Sequence, residues 1–162
     1  MNKRSIPYIL NFTLVMGILI TLMLLLGTPL ILTAFFKSQY QLLDQNLVWI
    51  VTICIYLCAA PYVLSLFKLR KIAGLVVKRK PFSNENVKAL KVIAVSSFSE
   101  IVIFIGCVSY LKLSVNFFKD VLLAGPLLIV IFICVTIGLL CLVLAQLLEV
   151  AINIKEENDK TI

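Results

Sequence analysis

The sequence predicts an all-α integral membrane protein, a four-helix bundle built from two antiparallel hairpins. Hydrophobic residues make up 62% of the 162-residue chain and charged residues only 14%, whereas soluble domains are about 25% charged. Four apolar runs reach the roughly 20 residues that a spanning helix requires. No remaining stretch is long enough for a soluble domain, so we expect a single membrane domain over residues 1–162.

The first predicted span covers about residues 8–36 and follows two basic residues, Lys3 and Arg4. This start resembles a signal peptide. However, the apolar run is far longer than the core of about 7–15 residues that signal peptides have, and no small-residue cleavage pattern follows it. We therefore expect a retained span, with Gly27 and Pro29 interrupting its regularity near the outer end.

The second predicted span covers about residues 47–67, and Pro61 is expected to kink it. Beyond Phe67 the apolar residues keep a helical spacing, while basic residues occupy the other face. This pattern predicts a helical extension into the cytoplasm, along the membrane interface, that ends at Pro81.

The third predicted span, about residues 92–113, belongs to a helix with a recognisable start. Ser83 is a favourable N-cap. Glu85 lies in the first turn, where a negative charge is stabilised by the helix dipole. The helix is therefore predicted to begin near Asn84, on the cytoplasmic side, and to enter the bilayer near Val92.

The fourth predicted span covers about residues 121–144 and follows a short loop at residues 114–120. Its apolar pattern persists as far as Ile154, before the polar tail at residues 155–162. We therefore expect the fourth helix, like the second, to extend into the cytoplasm.

The distribution of basic residues predicts the orientation of the spans. The N-terminus, the central loop and the C-terminal tail hold twelve of the fifteen Lys and Arg residues, and the other two loops hold only Lys37, Lys112 and Lys119. Loops rich in Lys and Arg remain in the cytoplasm. We therefore expect a multi-pass protein of the bacterial cytoplasmic membrane with both termini inside. Its basic charge predicts contact with anionic lipid headgroups rather than direct binding of nucleic acid.

Glu100 is the most unusual residue of the apolar runs. It lies about 12 Å along the helix from Val92, inside a hydrocarbon core about 30 Å thick. An acid at this depth costs about 2.5–3.5 kcal/mol or more and usually faces a partner or a cavity. Ser96 and Ser97 lie one turn earlier on the same face. This polar site either binds a cation, a proton or a cationic ligand, or it is a protonated carboxyl that holds the helices in register.

Little else in the sequence indicates chemistry. Histidine is absent, and all five cysteines lie inside apolar runs, which favours packing as small hydrophobic residues over disulfides or a soft-metal site. Nucleotide-binding, serine-hydrolase and metalloprotease motifs are also absent. We therefore expect no catalytic residues, no metal and no cofactor, and we do not expect an enzyme.

Two phrases carry a family resemblance. The first, F-S-x-x-x-V-x-A-L-K-x-I, opens the third helix, and the second, A-I-x-I-K-x-E-N-D-x-T-[IV], closes the chain. These phrases resemble those of a bacterial four-helix membrane protein family, domain of unknown function 2975. The matching residues are Phe82, Ser83, Val87, Ala89, Leu90, Lys91, Ile93, Ala151, Ile152, Ile154, Lys155, Glu157, Asn158, Asp159 and Thr161.

The resemblance implies a genetic context but no catalytic residues. Members are typically encoded beside a small helix-turn-helix regulator, which leads to the hypothesis that this protein holds or releases such a regulator at the membrane. On this hypothesis the basic central loop is a docking surface, although its role in setting the topology and its contact with lipid also account for its charge. Alternatively, the two phrases serve only to hold the start of the third helix against the end of the fourth. The candidate residues for the partner or lipid surface are Lys78, Arg79, Lys80, Lys91, Asn158 and Asp159.

The alternative function is a small transport or immunity-type protein that uses Glu100 within the bilayer. Four spans in 18.1 kDa are few for a transporter, so this function predicts a homo-oligomer.

Overall fold

The structure is a computed structural model that describes residues 6–40, 45–78, 82–119 and 124–160. Within these residues the chain is helical, without β-strands. Four of the helices are long and apolar enough to cross a membrane, which confirms the all-α class and the number of spans. The helices are α1 (Ile6–Tyr40), α2 (Gln45–Val77), α3 (Asn84–Ser114), α4 (Asn116–Lys119) and α5 (Ala124–Lys160).

The long helices exceed the thickness of a bilayer. α2 has 33 residues and α5 has 37, which correspond to about 50 and 55 Å, against a hydrocarbon core of about 30 Å. The predicted helical extensions beyond the second and fourth spans are therefore confirmed as continuous helix. The orientation of the termini towards the cytoplasm stays a prediction.

Threonine and serine hydroxyls in the apolar helices bond to their own backbone. Thr13 donates to the carbonyl of Ile9 at 3.0 Å, and Thr136 donates to Phe132 at 2.8 Å. Because lipid offers no hydrogen-bond partner, this bond to the preceding turn satisfies an exposed hydroxyl without help from a neighbouring helix.

Proline 29 lies inside α1 and has no N–H to donate to the carbonyl of Leu25, one turn earlier. The Tyr56 hydroxyl of α2 donates to that carbonyl at 2.9 Å. A neighbouring helix thus replaces the missing donor, as spanning helices with internal prolines require. This bond also joins α1 to α2.

The long helices pack in chain order. α1 packs on α2, α2 on α3, and α3 on α5, and among the described residues no close backbone contact joins α1 to α3, α1 to α5, or α2 to α5. α3 therefore has a neighbour on each side, and the described helices form a row. The packing of the two hairpins into a bundle stays a prediction.

Apolar clusters lie near both ends of the long helices, measured along the helix axes. One contains Phe36 of α1, Leu47 of α2 and Val115 after α3. The other joins Val87 of α3 to Ile152 of α5. This second cluster lies at the level where α2 and α5 end and α3 begins, and we call this end of the helices the basic end. Between the clusters most large apolar side chains are exposed, as expected where lipid tails rather than water surround the helices.

The start of α3 agrees with its prediction. Ser83 is the N-cap, its side chain accepts a hydrogen bond from the backbone N–H of Asn86 at 3.4 Å, and the helix begins at Asn84. The predicted loop at residues 114–120 differs, because its middle forms the single turn α4. Pro81 lies outside the described residues, and α2 has already ended at Val77.

Candidate functional site

The Glu100 side chain lies on α3 and is half-buried. Its Oε2 atom is enclosed by protein and has no hydrogen-bond partner among the described residues. Buried polar atoms normally have such a partner, so this carboxyl is exceptional within the fold.

The face of α3 that carries Glu100 is covered by its neighbours. Ile93, Ser97 and Phe104 lie on the same face as Glu100 by helical spacing, and all four are buried or half-buried. On the opposite face Val95 and Val102 are 67% and 72% exposed. Glu100 therefore lies on a covered face of α3.

Both flanking helices carry half-buried cysteines. Cys58 lies on α2 and Cys134 lies on α5. α2 and α5 make no close backbone contact with one another in the described part of the chain, so α3 lies between them.

The serines beside Glu100 bond to their own helix. Ser97 donates to the carbonyl of Ile93 at 3.0 Å, and Ser99 donates to that of Ser96 at 2.8 Å. Ser96 itself is buried. Ser96 and Ser97 thus lie where the helical spacing predicts, but the hydrogen bonds of Ser97 and Ser99 are directed to the backbone of α3 and not to the carboxyl.

Among the described residues, no cationic side chain lies near the depth of Glu100 along the helices. The chain has no histidine, and the nearest basic residues along α3 are Lys91 and Lys112. These two residues lie about 13 and 18 Å away along the helix axis. Lys91 is engaged elsewhere, as described below. An internal ion pair for Glu100 is therefore excluded by the positions of the basic residues along the described helices.

Three cysteines meet between α2 and α3. The Cys107 thiol approaches the carbonyl of Cys54 at 3.9 Å, and Cys107 and Cys58 also interact. All five cysteines are free, and the described residues contain no cluster of three or more metal-ligating side chains. The approach of Cys107 to the α2 cysteines was not predicted from the sequence, because the contact depends on how two helices are rotated.

A concavity lies between α2 and α3. It has a volume of about 470 Å³, and Cys54, Leu57, Gly106 and Tyr110 are among the residues that line it. Its wall is almost entirely apolar, so it offers no group that would orient a polar ligand.

Ion pairs join the helices at the basic end. Lys71 of α2 lies 3.1 Å from Glu85 of α3, and Lys91 of α3 lies 2.7 Å from Glu149 of α5. Lys91, a candidate docking residue, is thus paired within the protein. The pairing was missed from sequence because Lys91 and Glu149 are 58 residues apart.

The other candidates for the docking surface are described only in part. Lys78 is exposed in the turn after α2, and Asn158 is exposed near the end of α5. Asp159 lies in the same helix, with its side chain outside the described atoms. Arg79 and Lys80 lie outside the described residues.

The two family phrases meet at the basic end. Val87 and Leu90 of the first phrase pack in one cluster with Ile152 of the second. Asn86, next to Val87, is 2% exposed, and the sequence analysis did not identify it as buried. The contact between the phrases is therefore apolar at its centre.

Comparisons with known proteins agree with this architecture. A family model described as a protein of unknown function (DUF2975) matches residues 31–162. An uncharacterized membrane protein, YoaS, of Bacillus subtilis (strain 168) is 33% identical over 117 residues, which cover 70% of this chain and 71% of the relative. No solved structure matches the chain. With four helices that can span a membrane and this family match, the chain is a multi-pass membrane protein that belongs to the DUF2975 family.

Proposed function

We propose that this protein is a membrane-bound regulatory protein that engages a small cytoplasmic helix-turn-helix regulator through its basic end. The observation that supports this most is that the described ends of α2, α3 and α5 extend beyond the predicted spans, where α2 and α5 each pack on α3. Helix ends that are already packed before binding lose less conformational entropy when a partner docks on them.

The burial of apolar side chains stabilises this surface more than its ion pairs do. Lys91 and Glu149 are 51% and 43% exposed, and exposed ion pairs contribute only about 0–1 kcal/mol. Ala73, Val87 and Ala89 are each less than 5% exposed. The ion pairs therefore orient α3 against its neighbours, while apolar contacts supply most of the stability.

Several cations of the basic end remain available to a partner. Arg70, Lys78 and Lys88 are exposed and form no ion pair with a carboxylate of the described residues. Such a surface favours acidic partners, and charge complementarity mainly sets their rate of association and specificity. Anionic lipid headgroups are a second binding partner for the same cations.

Affinity purification from mildly solubilised native membranes tests this function. The expected result is co-purification of a small helix-turn-helix protein, which is lost when Lys78, Arg79 and Lys80 are all replaced by Gln. A matched control replaces Lys37, Lys112 and Lys119, the three cations of the other end, by Gln. If the first variant inserts normally and still recruits every native partner, the docking surface is wrong.

The proposal also places the protein in the bacterial cytoplasmic membrane with both termini inside. Alkaline phosphatase, which is active only outside the cytoplasm, is expected to be inactive when fused after Ile162. The same enzyme is expected to be active when inserted at residues 41–44. The reverse pattern would contradict the proposed orientation and put the basic end out of reach of a cytoplasmic regulator.

A second candidate function is transport or immunity within the bilayer by a homo-oligomer. The enclosed Oε2 atom of Glu100, without a hydrogen-bond partner in the described part of the chain, favours it. Glu100→Gln is then expected to abolish a transport or protection phenotype while the protein still folds. Full activity of this variant would contradict the candidate.

A further inference from the structure

We propose that the concavity between α2 and α3 is a binding site for one acyl chain of a membrane phospholipid. The site lies towards the end of the helices opposite to the basic end, where α2 begins and α3 ends. The inference is independent of both candidate functions and names a further ligand of the protein.

The first argument is the shape of the concavity. The residues that line it run from Ile50 to Leu57 on α2 and from Ile103 to Tyr110 on α3. Each of these ranges corresponds to about 10 Å along the helix axis. The concavity therefore extends along two antiparallel helices, which is the direction that a lipid chain takes beside spanning helices.

The second argument is the size and the accessibility of the space. Its volume is about 470 Å³. An apolar cavity of about 150 Å³ already holds a benzene molecule, so this space accommodates roughly a dozen carbon atoms of a chain. Ile53, Leu57 and Tyr110, which line the space, are each more than half exposed. The concavity is therefore open to the side, on a surface that faces lipid.

The third argument is the lack of protein bulk at Gly106. This glycine lines the concavity at the level of Cys54, and a Cβ atom built on it would have no heavy atom within 4 Å. Cys54, on the facing helix, is buried. The space beside Gly106 is thus bounded by protein on its inner side and is left for a ligand on its outer side.

The fourth argument is the chemistry of the lining. The wall is almost entirely apolar, which favours a hydrocarbon chain over a polar ligand. At the end nearer to the helix termini lie Tyr110 and, next to Ile50, Trp49. Both aromatic side chains are exposed and make no hydrogen bond among the described residues. Tyrosine and tryptophan are enriched at the level of the headgroups, where the hydroxyl and the indole N–H donate to ester or phosphate oxygens of a lipid.

A helix from a second copy of the chain matches this space less well. An α-helix with its side chains is about 10–12 Å wide, and it would require a groove along the whole span rather than along two turns. A single aromatic side chain from such a helix, similar in size to benzene, would fill only about a third of the volume. The acyl chain is therefore the occupant that fits both the length and the volume.

Fluorescence quenching by a brominated phospholipid tests the inference. Trp49 is the only tryptophan of the chain, it lies next to Ile50 of the lining, and bromine quenches tryptophan only on close approach. The full-length protein in mild detergent is titrated with a phosphatidylglycerol that carries bromine near the headgroup end of one chain. The wild type is expected to show saturable quenching, in addition to the proportional rise that mixing of lipid into the micelle produces.

A matched pair of variants locates the site. Gly106→Leu places a side chain in the concavity, where a Cβ atom meets no protein atom, and it is expected to lose the saturable component. Gly125→Leu is the control, because a Cβ atom at Gly125 of α5 also has open space and this residue does not line the concavity. The control is expected to retain the saturable component.

Protection of a thiol gives a second readout that needs no substitution. Cys107 lines the concavity, whereas Cys141 of α5 does not, and both are half-buried. Unbrominated phosphatidylglycerol is expected to slow the reaction of Cys107 with N-ethylmaleimide, measured by mass spectrometry, and to leave that of Cys141 unchanged. This readout decides the question if Gly106→Leu does not fold, as judged by circular dichroism.

Quenching of the wild type that rises only in proportion to lipid, equal quenching of Gly106→Leu and the wild type, or unchanged reactivity of Cys107 would each overturn the inference. A dimer of the wild type that Gly106→Leu dissociates would identify a second copy as the occupant and would also overturn it.

Discussion

The hydrogen bond from Tyr56 to Leu25 leads to a quantitative prediction about the contact between α1 and α2. Tyr56→Phe removes one hydroxyl and leaves the ring in place. The carbonyl of Leu25 then loses the donor at 2.9 Å and has no replacement within α1, because residue 29 is proline. We expect the substitution to lower the free energy of unfolding.

The magnitude follows from the type of bond. Hydrogen bonds between spanning helices contribute about 0.6 kcal/mol on average and up to about 1.7 kcal/mol. Leaving a buried acceptor without a donor lowers stability by about 1–3 kcal/mol. Lipid cannot replace the lost donor, so we expect a loss of about 1–2 kcal/mol, near the upper end of the range for helix pairs.

The assay is equilibrium unfolding in mixed micelles with increasing denaturing detergent, followed by far-ultraviolet circular dichroism. Tyr62→Phe is the matched control. Tyr62 lies on the same helix and is exposed, and it makes no hydrogen bond among the described residues. We expect its substitution to change stability by less than about 0.5 kcal/mol.

A double-mutant cycle tests the role of the proline directly. Pro29→Ala restores an N–H that can donate to the Leu25 carbonyl, so Tyr56→Phe should be less damaging in that background. The reasoning is refuted if Tyr56→Phe lowers the free energy of unfolding equally with proline and with alanine at position 29. It is also refuted if the effect of Tyr56→Phe is as small as that of Tyr62→Phe.

Two further predictions concern the contact between α3 and α5. A Cβ atom at Gly138 would lie 2.9 Å from Cζ of the Phe98 ring, so Gly138→Ala is expected to destabilise the protein by about 1–3 kcal/mol and to be rescued by Phe98→Leu. Gly106→Ala meets no atom within 4 Å and should be neutral or stabilising in the same unfolding assay. Lys91→Gln or Glu149→Gln should each lower stability by no more than about 1 kcal/mol, less at high salt. Exchange of the two charges should recover most of that loss, and a larger effect of either single change at high salt would contradict the assignment to an exposed ion pair.

The helices and their starts were predictable because their causes are local. The free energy of transfer into lipid depends on each residue alone, so four apolar runs predict four long helices. The N-cap at Ser83 follows from its hydroxyl and the backbone N–H groups of the next turn. Glu100, Ser96 and Ser97 were placed on one face by the helical repeat alone.

The contacts between helices were not predictable in this way. The pairing of Lys91 with Glu149, the donation from Tyr56 to Leu25 and the approach of Cys107 to Cys54 all depend on which helices are neighbours. They also depend on how each helix is rotated about its axis. No sequence pattern near these residues indicates which helices are neighbours or how each helix is rotated.

The sequence by itself determined that this chain has four membrane-spanning helices, where α3 begins and that an acid lies within the third span. Only the tertiary structure decided that α3 lies between α2 and α5 and that the two family phrases meet through Val87 and Ile152. The physical reason is that these helices are apolar on nearly every side, so hydrophobic periodicity does not mark the face that packs. That face is selected by close packing, hydrogen bonds and ion pairs between residues distant in the chain.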